Sequence, residues 1–306
     1  DSYFGLFIGL NGANIKDLGL SNVTLSTTYD KNEPLYAGSL AAISNQSTIE
    51  NCYVSGGRIA ATNKSSTYSR DGYIGGLVGT SQDSTINNSY STVEVIANVN
   101  TTNSTGTFVG GFIGNIGQNA TITNSYATGN VTQNGIGRAG GFVGNIMSNA
   151  GVIDNCYAMG NVKSTNSTTN NEVGGFVGGN AGIIKNAYAT GKVETAYEGT
   201  TALIGGFVGI AGGPYNFSNC AYNTESGTVN NGAGYTRYNK LIAGYSMAQI
   251  NAEGNGLPKL TGNNPYIYRG INTNTTLAKL GLSSADDRTI TVNIDGVEST
   301  NTFDSS

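Results

Sequence analysis

Apolar positions recur along this chain in two short arms that repeat together. The first arm is rich in glycine, as in Gly141-Phe142-Val143-Gly144 and Gly175-Phe176-Val177-Gly178, and the second has the form Ile-x-Asn-x-Tyr. The asparagine of the second arm, or its equivalent, falls at Asp17, Asn51, Asn88, Asn124, Asn155, Asn186 and Asn219, in steps of 34, 37, 36, 31, 31 and 33 residues. A recurring period of about 20 to 50 residues marks a solenoid or array, because each unit is a supersecondary element that cannot bury its apolar face alone. Within a unit the pattern predicts strand, turn, strand, corner, strand and loop. In the unit that opens at Ala139, residues 140–144 form a short strand, 145–151 a turn, 152–157 a second strand and 159–161 a corner; Val162 opens a third strand before a loop over 164–171.

Strand alternation puts Ile153, Asn155 and Tyr157 on one face. The position after the asparagine holds only small residues (Cys52, Ser89, Ser125, Cys156, Ala187 and Cys220), so it too asks for an inward place, and a bend or bulge is expected nearby. Stacking the units aligns Ile49, Ile86, Ile122, Ile153, Ile184 and Phe217 as one interior ladder, and Leu77, Phe112, Phe142, Phe176 and Phe207 as another. Asn51, Asn88, Asn124, Asn155, Asn186 and Asn219 form a third, structural ladder whose amides bond along the column. The predicted fold is all-β: a right-handed parallel β-solenoid, or β-helix, of about seven coils over 1–224. A capping segment follows over 225–282, with a short helix at 246–253, because a bare terminal coil would expose an aggregation-prone edge. Residues 283–306 read as a linker or the start of a further β domain, the alternation from Thr289 to Gly296 being a strand that enters a turn.

Composition narrows the function. Only 11% of residues are charged, the net charge is -4, and there is no His and no Trp. The 15 basic residues are scattered, which argues against nucleic acid. No apolar run reaches the length of about 18 residues that spans a bilayer, so no membrane insertion by this segment is expected. Cys52 and Cys156 sit three coils apart and cannot reach each other for a disulfide; the three cysteines read as buried free thiols. No metal site and no cofactor are expected, since zinc would want His or more Cys close by.

The recurring Gly-Gly-Phe-Val-Gly with Asn-x-Tyr-Ala-x-Gly-Asn-Val resembles the GLUG repeat, over about residues 3 to 250. Tyr222-Asn223-Thr224-Glu225-Ser226-Gly227 with Ser246-Met247-Ala248-Gln249-Ile250 resembles the segment that often closes such arrays. The first repeat departs from the pattern at Asp17-Leu18-Gly19. The resemblance implies a secreted or cell-surface bacterial protein, in the manner of filamentous-haemagglutinin-like adhesins or the non-catalytic regions of IgA1-cleaving peptidases. It supplies no catalytic residues.

Enzymatic motifs fail one by one. Gly135-Ile136-Gly137-Arg138-Ala139-Gly140 spells a dinucleotide fingerprint but precedes a strand instead of following one and opening a helix. Without histidine, Ser-His-Asp and Cys-His mechanisms are closed. A carboxylate pair could act without histidine, yet Glu50 and Asp154, which share a register, stand three coils apart, about 14 Å. The segment therefore reads as non-enzymatic: an adhesin piece of a longer polypeptide, monomeric in isolation, that attaches to host cells or to other bacterial cells. The alternative is a stalk or substrate-binding region of a larger secreted enzyme. Recognition is placed on variable excursions at one edge of the solenoid, 56–73, 96–107, 132–138, 163–172 and 195–203, with Arg58, Tyr68, Arg70, Asp71, Tyr73, Arg138, Lys163 and Tyr197 as candidate ligand-binding residues for a host-surface protein or glycan. Sequons at Asn22, Asn45, Asn63, Asn103, Asn119, Asn130, Asn166, Asn216 and Asn274 mark candidate glycosylation positions.

Overall fold

The computed structural model describes residues 2–29, 32–64, 71–99, 106–147, 151–167, 171–197, 203–212, 217–226, 232–234, 242–252, 255–258, 288–294 and 297–303. Those up to Tyr245 form a parallel β-solenoid built from three sheets. The glycine arm contributes two strands per coil. The first sheet stacks Ser2–Phe4, Leu35–Gly38, Gly72–Gly75, Thr107–Gly110, Gly137–Gly140, Glu172–Gly174 and Leu203–Gly205. The second stacks Phe7–Asn11, Ala41–Asn45, Val78–Gln82, Ile113–Ile116, Val143–Ile146, Val177–Asn180 and Val208–Ala211. The third sheet collects the asparagine arm and the strand after it from every coil, through elements such as Tyr53–Asn63, Glu94–Val99 and Val152–Ala158.

Glycine is required where the first two sheets meet. Their strands turn on the Gly-Gly pair and fold back so closely that a methyl group on Gly144 would collide with the backbone nitrogen of Val109 in the coil before it. Gly209 repeats the contact, with Val173 N 2.6 Å from where its Cβ would lie. Inside, Ile49, Ile86, Ile122, Ile153 and Ile184 are in register on successive strands and fully buried, with Phe217 closing the row. Phe112, Phe142, Phe176 and Phe207 stack with centroids 4.8 to 5.0 Å apart. Each large apolar side chain buried in these two rows contributes roughly 1.5–3 kcal/mol.

The asparagine corner resolves the conflict over alternation. Asp17, Asn51, Asn88, Asn124, Asn155, Asn186 and Asn219 all adopt φ between 47° and 56°, the left-handed region that asparagine tolerates better than most side chains. One such residue turns the chain and shifts the alternation by one. Ile153 faces in, Asn155 sits at the corner, Cys156 faces in again, and Tyr157 faces out. Ile153, Asn155 and Tyr157 therefore do not share a face, contrary to simple alternation. The corner places the small residue in the core and sets the tyrosines on the outside, where Tyr53, Tyr90, Tyr126, Tyr157 and Tyr188 stack 4.8 to 5.2 Å apart. Cys52, Cys156 and Cys220 are free and buried.

Several boundaries differ from those expected from the sequence. Residues 145–146 continue a strand where a turn was expected. The excursions are also shorter: Tyr53–Asn63 is one strand in which Ile59, Ala61 and Asn63 are buried in alternation, and Val95, Ala97 and Val99 do the same one coil on. Thr132 to Arg138 is no excursion at all, since Val131–Asn134 and Gly137–Gly140 leave a two-residue turn between them.

Past the last coil, Ile242–Tyr245 adds a parallel strand to Phe217–Asn223. The helix Met247–Asn251 follows, started by a capping box in which the Ser246 hydroxyl accepts from Gln249 N and the Gln249 side chain accepts from Ser246 N. Ile250 and Leu257 pack with Tyr188, Tyr157 and Ala221, so the cap buries the C-terminal end of the outer tyrosine stack. Arg288–Ile294 and Val297–Phe303 pair antiparallel.

Candidate functional site

Register, not loop composition, assembles the most distinctive surface. In the first sheet Tyr3, Tyr36, Tyr73, Phe108, Arg138, Glu172 and Leu203 occupy one position on seven successive strands. Tyr3 and Tyr36 stack at 5.2 Å, Tyr36 and Tyr73 at 5.0 Å, and Tyr73 meets Phe108 at 5.5 Å with the rings tilted by 54°. Arg138 places its Cζ 5.6 Å from the Phe108 ring centre, a cation–π contact, and pairs with the Glu172 carboxylate on the next strand. Its remaining arm donates from Nη1 to Asn145 Oδ1 at 2.8 Å.

Asn145 belongs to the matching row of the second sheet: Gly9, Ile43, Thr80, Asn115, Asn145, Gly179 and Ile210. Asn145 donates to Asn115 Oδ1 at 3.0 Å and Asn115 donates to Thr80 Oγ1 at 3.3 Å. Gly179 makes room for Arg138, whose Cδ lies 2.7 Å from where a Cβ would sit. The two rows meet in a cleft of about 290 Å³ lined by Asp71, Phe108, Arg138, Asn145, Met147 and Ile210 among others. On the aromatic side, Tyr73 donates its hydroxyl to Asp71 Oδ2 at 3.2 Å. Burial and the Asp71 carboxylate raise the Tyr73 phenol pKa well above its ordinary value, and the same two causes raise Tyr36.

The structure thus brings together three of the eight sequence candidates, Asp71, Tyr73 and Arg138. Arg58 and Lys163 are corrected from loop to strand: both sit exposed on the third sheet, Arg58 paired with Glu94 at 3.4 Å, because alternating burial carries their strands further than their polar composition suggested. Tyr197 lies just past Val193–Thr195, with its backbone nitrogen donating to Thr195 Oγ1 at 3.1 Å. Tyr68 and Arg70 lie outside the described residues. Tyr3, Tyr36 and Phe108 went unnoticed in the sequence. Their signal is positional: each stands two residues before the first glycine of its arm, as Arg138 and Glu172 do.

The corner asparagines bond along their own column. Asn51 donates to Asp17 Oδ1 at 3.0 Å, Asn155 to Asn124 Oδ1 at 2.6 Å and Asn219 to Asn186 Oδ1 at 3.0 Å. Asn124 and Asn186 reach instead to Asn87 and Asp154, which neighbour the column. These amides are half-buried or exposed, at the surface of the corner. Of the sequon asparagines, Asn45 and Asn119 donate to Asn11 and Asp83 of the preceding coil, and Asn130 accepts from the Asn161 backbone, so these three amides serve stacking. Among the described residues no cluster of three metal-capable side chains occurs, and no helix is long and apolar enough to cross a membrane.

Fold and surface together define a repeat-built parallel β-solenoid with an aromatic and polar groove on one face. Three of the repeats match the family model described as "The GLUG motif", over residues 71–96, 105–132 and 169–194. A solved structure of an "IgA1 Protease" is similar over 73% of this chain and 17% of its own length, at 21% identity and a TM-score of 0.49. The chain therefore spans a small part of that protein. No curated protein matches the sequence.

Proposed function

We propose that this solenoid is a non-catalytic attachment segment of a larger secreted bacterial protein displayed at the cell surface, which meets host-surface protein or glycan, or other bacterial cells, through its loop edge and the groove beside it. The observation that carries the reading is a contrast between the two sides of the coil. The interior repeats the same Ile and Phe from coil to coil, whereas the groove row runs Tyr, Tyr, Tyr, Phe, Arg, Glu, Leu at equivalent positions. Constant packing under a varied surface suits a scaffold that presents recognition residues. Charged side chains such as Lys16 with Glu50 at 2.7 Å and Arg138 with Glu172 pair between stacked coils. The GLUG repeats add support, because this resemblance implies surface and secreted bacterial proteins.

The test is display of the intact chain on a non-adherent bacterium, followed by counting cells bound to epithelial monolayers and to one another. Displaying cells are expected to bind well above the parent strain, and replacing 65–70, 100–105 and 198–202 with short Gly-Ser turns is expected to lower binding. Displaying cells that bind no better than the parent would make the solenoid a spacer, such as the stalk of a secreted enzyme.

A further inference from the structure

We propose that the groove between the first and second sheets binds an uncharged, extended polysaccharide that lies along the solenoid axis with about one sugar per coil. The inference rests on the attachment reading above and names the ligand class of that surface. Its first support is spacing. Ring-to-ring steps of 5.2 and 5.0 Å repeat one stacked contact on three consecutive coils, and a pyranose in an extended β-linked chain advances by close to one coil, so the same contact can be made by each sugar in turn. Near-parallel rings at these separations form an offset stack, which leaves part of each face uncovered, and Tyr3, Tyr36 and Tyr73 are all half-buried.

Chemistry supplies the second support. A sugar offers C–H faces and hydroxyl edges, and the groove offers both complements: aromatic faces on one wall, and beside them the Asp71 carboxylate, the Tyr hydroxyls and Asn145, which lines the cleft. Charge then selects among polymers. The guanidinium of Arg138 is already met by Glu172, Asn145 and Phe108, and Asp71 lines the same cleft, so among the described residues the groove holds no unspent positive charge for an acidic glycan or a phosphate backbone. A peptide adds itself to a strand edge, but Gly72–Gly75 is already paired on both sides, to Leu35–Gly38 and Thr107–Gly110. Finally, a cleft of about 290 Å³ is too small and open to enclose a ligand on all sides, and suits a chain that passes through it.

Native affinity electrophoresis of the full chain tests this, with hydroxyethyl cellulose, barley β-glucan, mannan, dextran and, as acidic comparators, polygalacturonate and hyaluronate in the gel. Retardation by at least one β-linked neutral polymer is expected, with about tenfold or greater weakening in Tyr36→Ala and Tyr73→Ala. Tyr126→Ala, which removes an equally stacked tyrosine from the third sheet, is expected to keep binding. Tyr73→Phe retains the ring, so it keeps most of the binding even where Tyr73→Ala weakens folding. No retardation by any neutral polymer, retardation only by the acidic ones, or equal retardation of the wild type and both groove variants each overturns the proposal. Loss of glycan binding in vitro with cell attachment intact would leave the attachment reading standing and remove only the ligand class; loss of both would remove the reading as well.

Discussion

A single corner residue decides the geometry of each coil. Asn155 holds φ at 56°, and its amide donates to Asn124 Oδ1. Asn155→Ala meets the left-handed strain of about 1–2 kcal/mol and also loses the bond, whereas Asn155→Gly loses only the bond. Denaturant unfolding is therefore expected to rank wild type above Asn155→Gly above Asn155→Ala, and equal stability of the two variants would show that the corner is not strained. The thiol after the corner gives a second residue-level test. Desolvation pushes Cys52 and Cys220 up to about 12, against an ordinary 9.0, and Cys156 higher still. Between pH 9 and about 12 the unfolded chain binds fewer protons than the folded one, so stability falls as pH rises through that window and is fully present below it. Thermal melts across this range should show the loss, reduced in Cys52→Ala; maleimide at neutral pH should label no cysteine until denaturant is added, because the thiols are buried.

At the scale of elements, the ladders and the glycine seam bear the load. Ile153→Asp puts an unpaired charge in a fully buried row and is expected to unfold or fray the array, with unchanged melting showing the row misassigned. Gly144→Ala forces its methyl toward the Val109 backbone and is expected to cost about 1–3 kcal/mol or more; an unchanged denaturation midpoint would contradict that packing. These elements were legible beforehand because ladders repeat the same residue types. The strand ends were not. Residues 56–63 are rich in Gly, Ala, Thr and Asn and imitate a loop, yet small alternating residues such as Ala61 are enough for a strand that neighbouring coils cover on both edges. The groove escaped notice for the opposite reason. The row changes from Tyr36 and Tyr73 to Phe108, Arg138 and Glu172 at one place in successive coils, and a search for likeness passes over a position whose residue type changes.

For the whole molecule, the period along the chain is the distance of one coil, and every other conclusion depends on it. Stacked residues 30 to 37 positions apart bring the Asn column, the Phe column and the groove into being together. Disulfide trapping on the exposed third sheet measures this directly. Thr132, Lys163 and Glu194 share one outward register on three successive strands. Adjacent strands lie about 4.8 Å apart, within disulfide reach, and next-nearest strands about twice that, beyond it. The native thiols are buried and stay out of the reaction. Mild oxidation should close an intramolecular disulfide in Thr132→Cys with Lys163→Cys and none in Thr132→Cys with Glu194→Cys, read by mass after tryptic digestion. A disulfide in the second pair and not the first would contradict the stacking register on which the account stands.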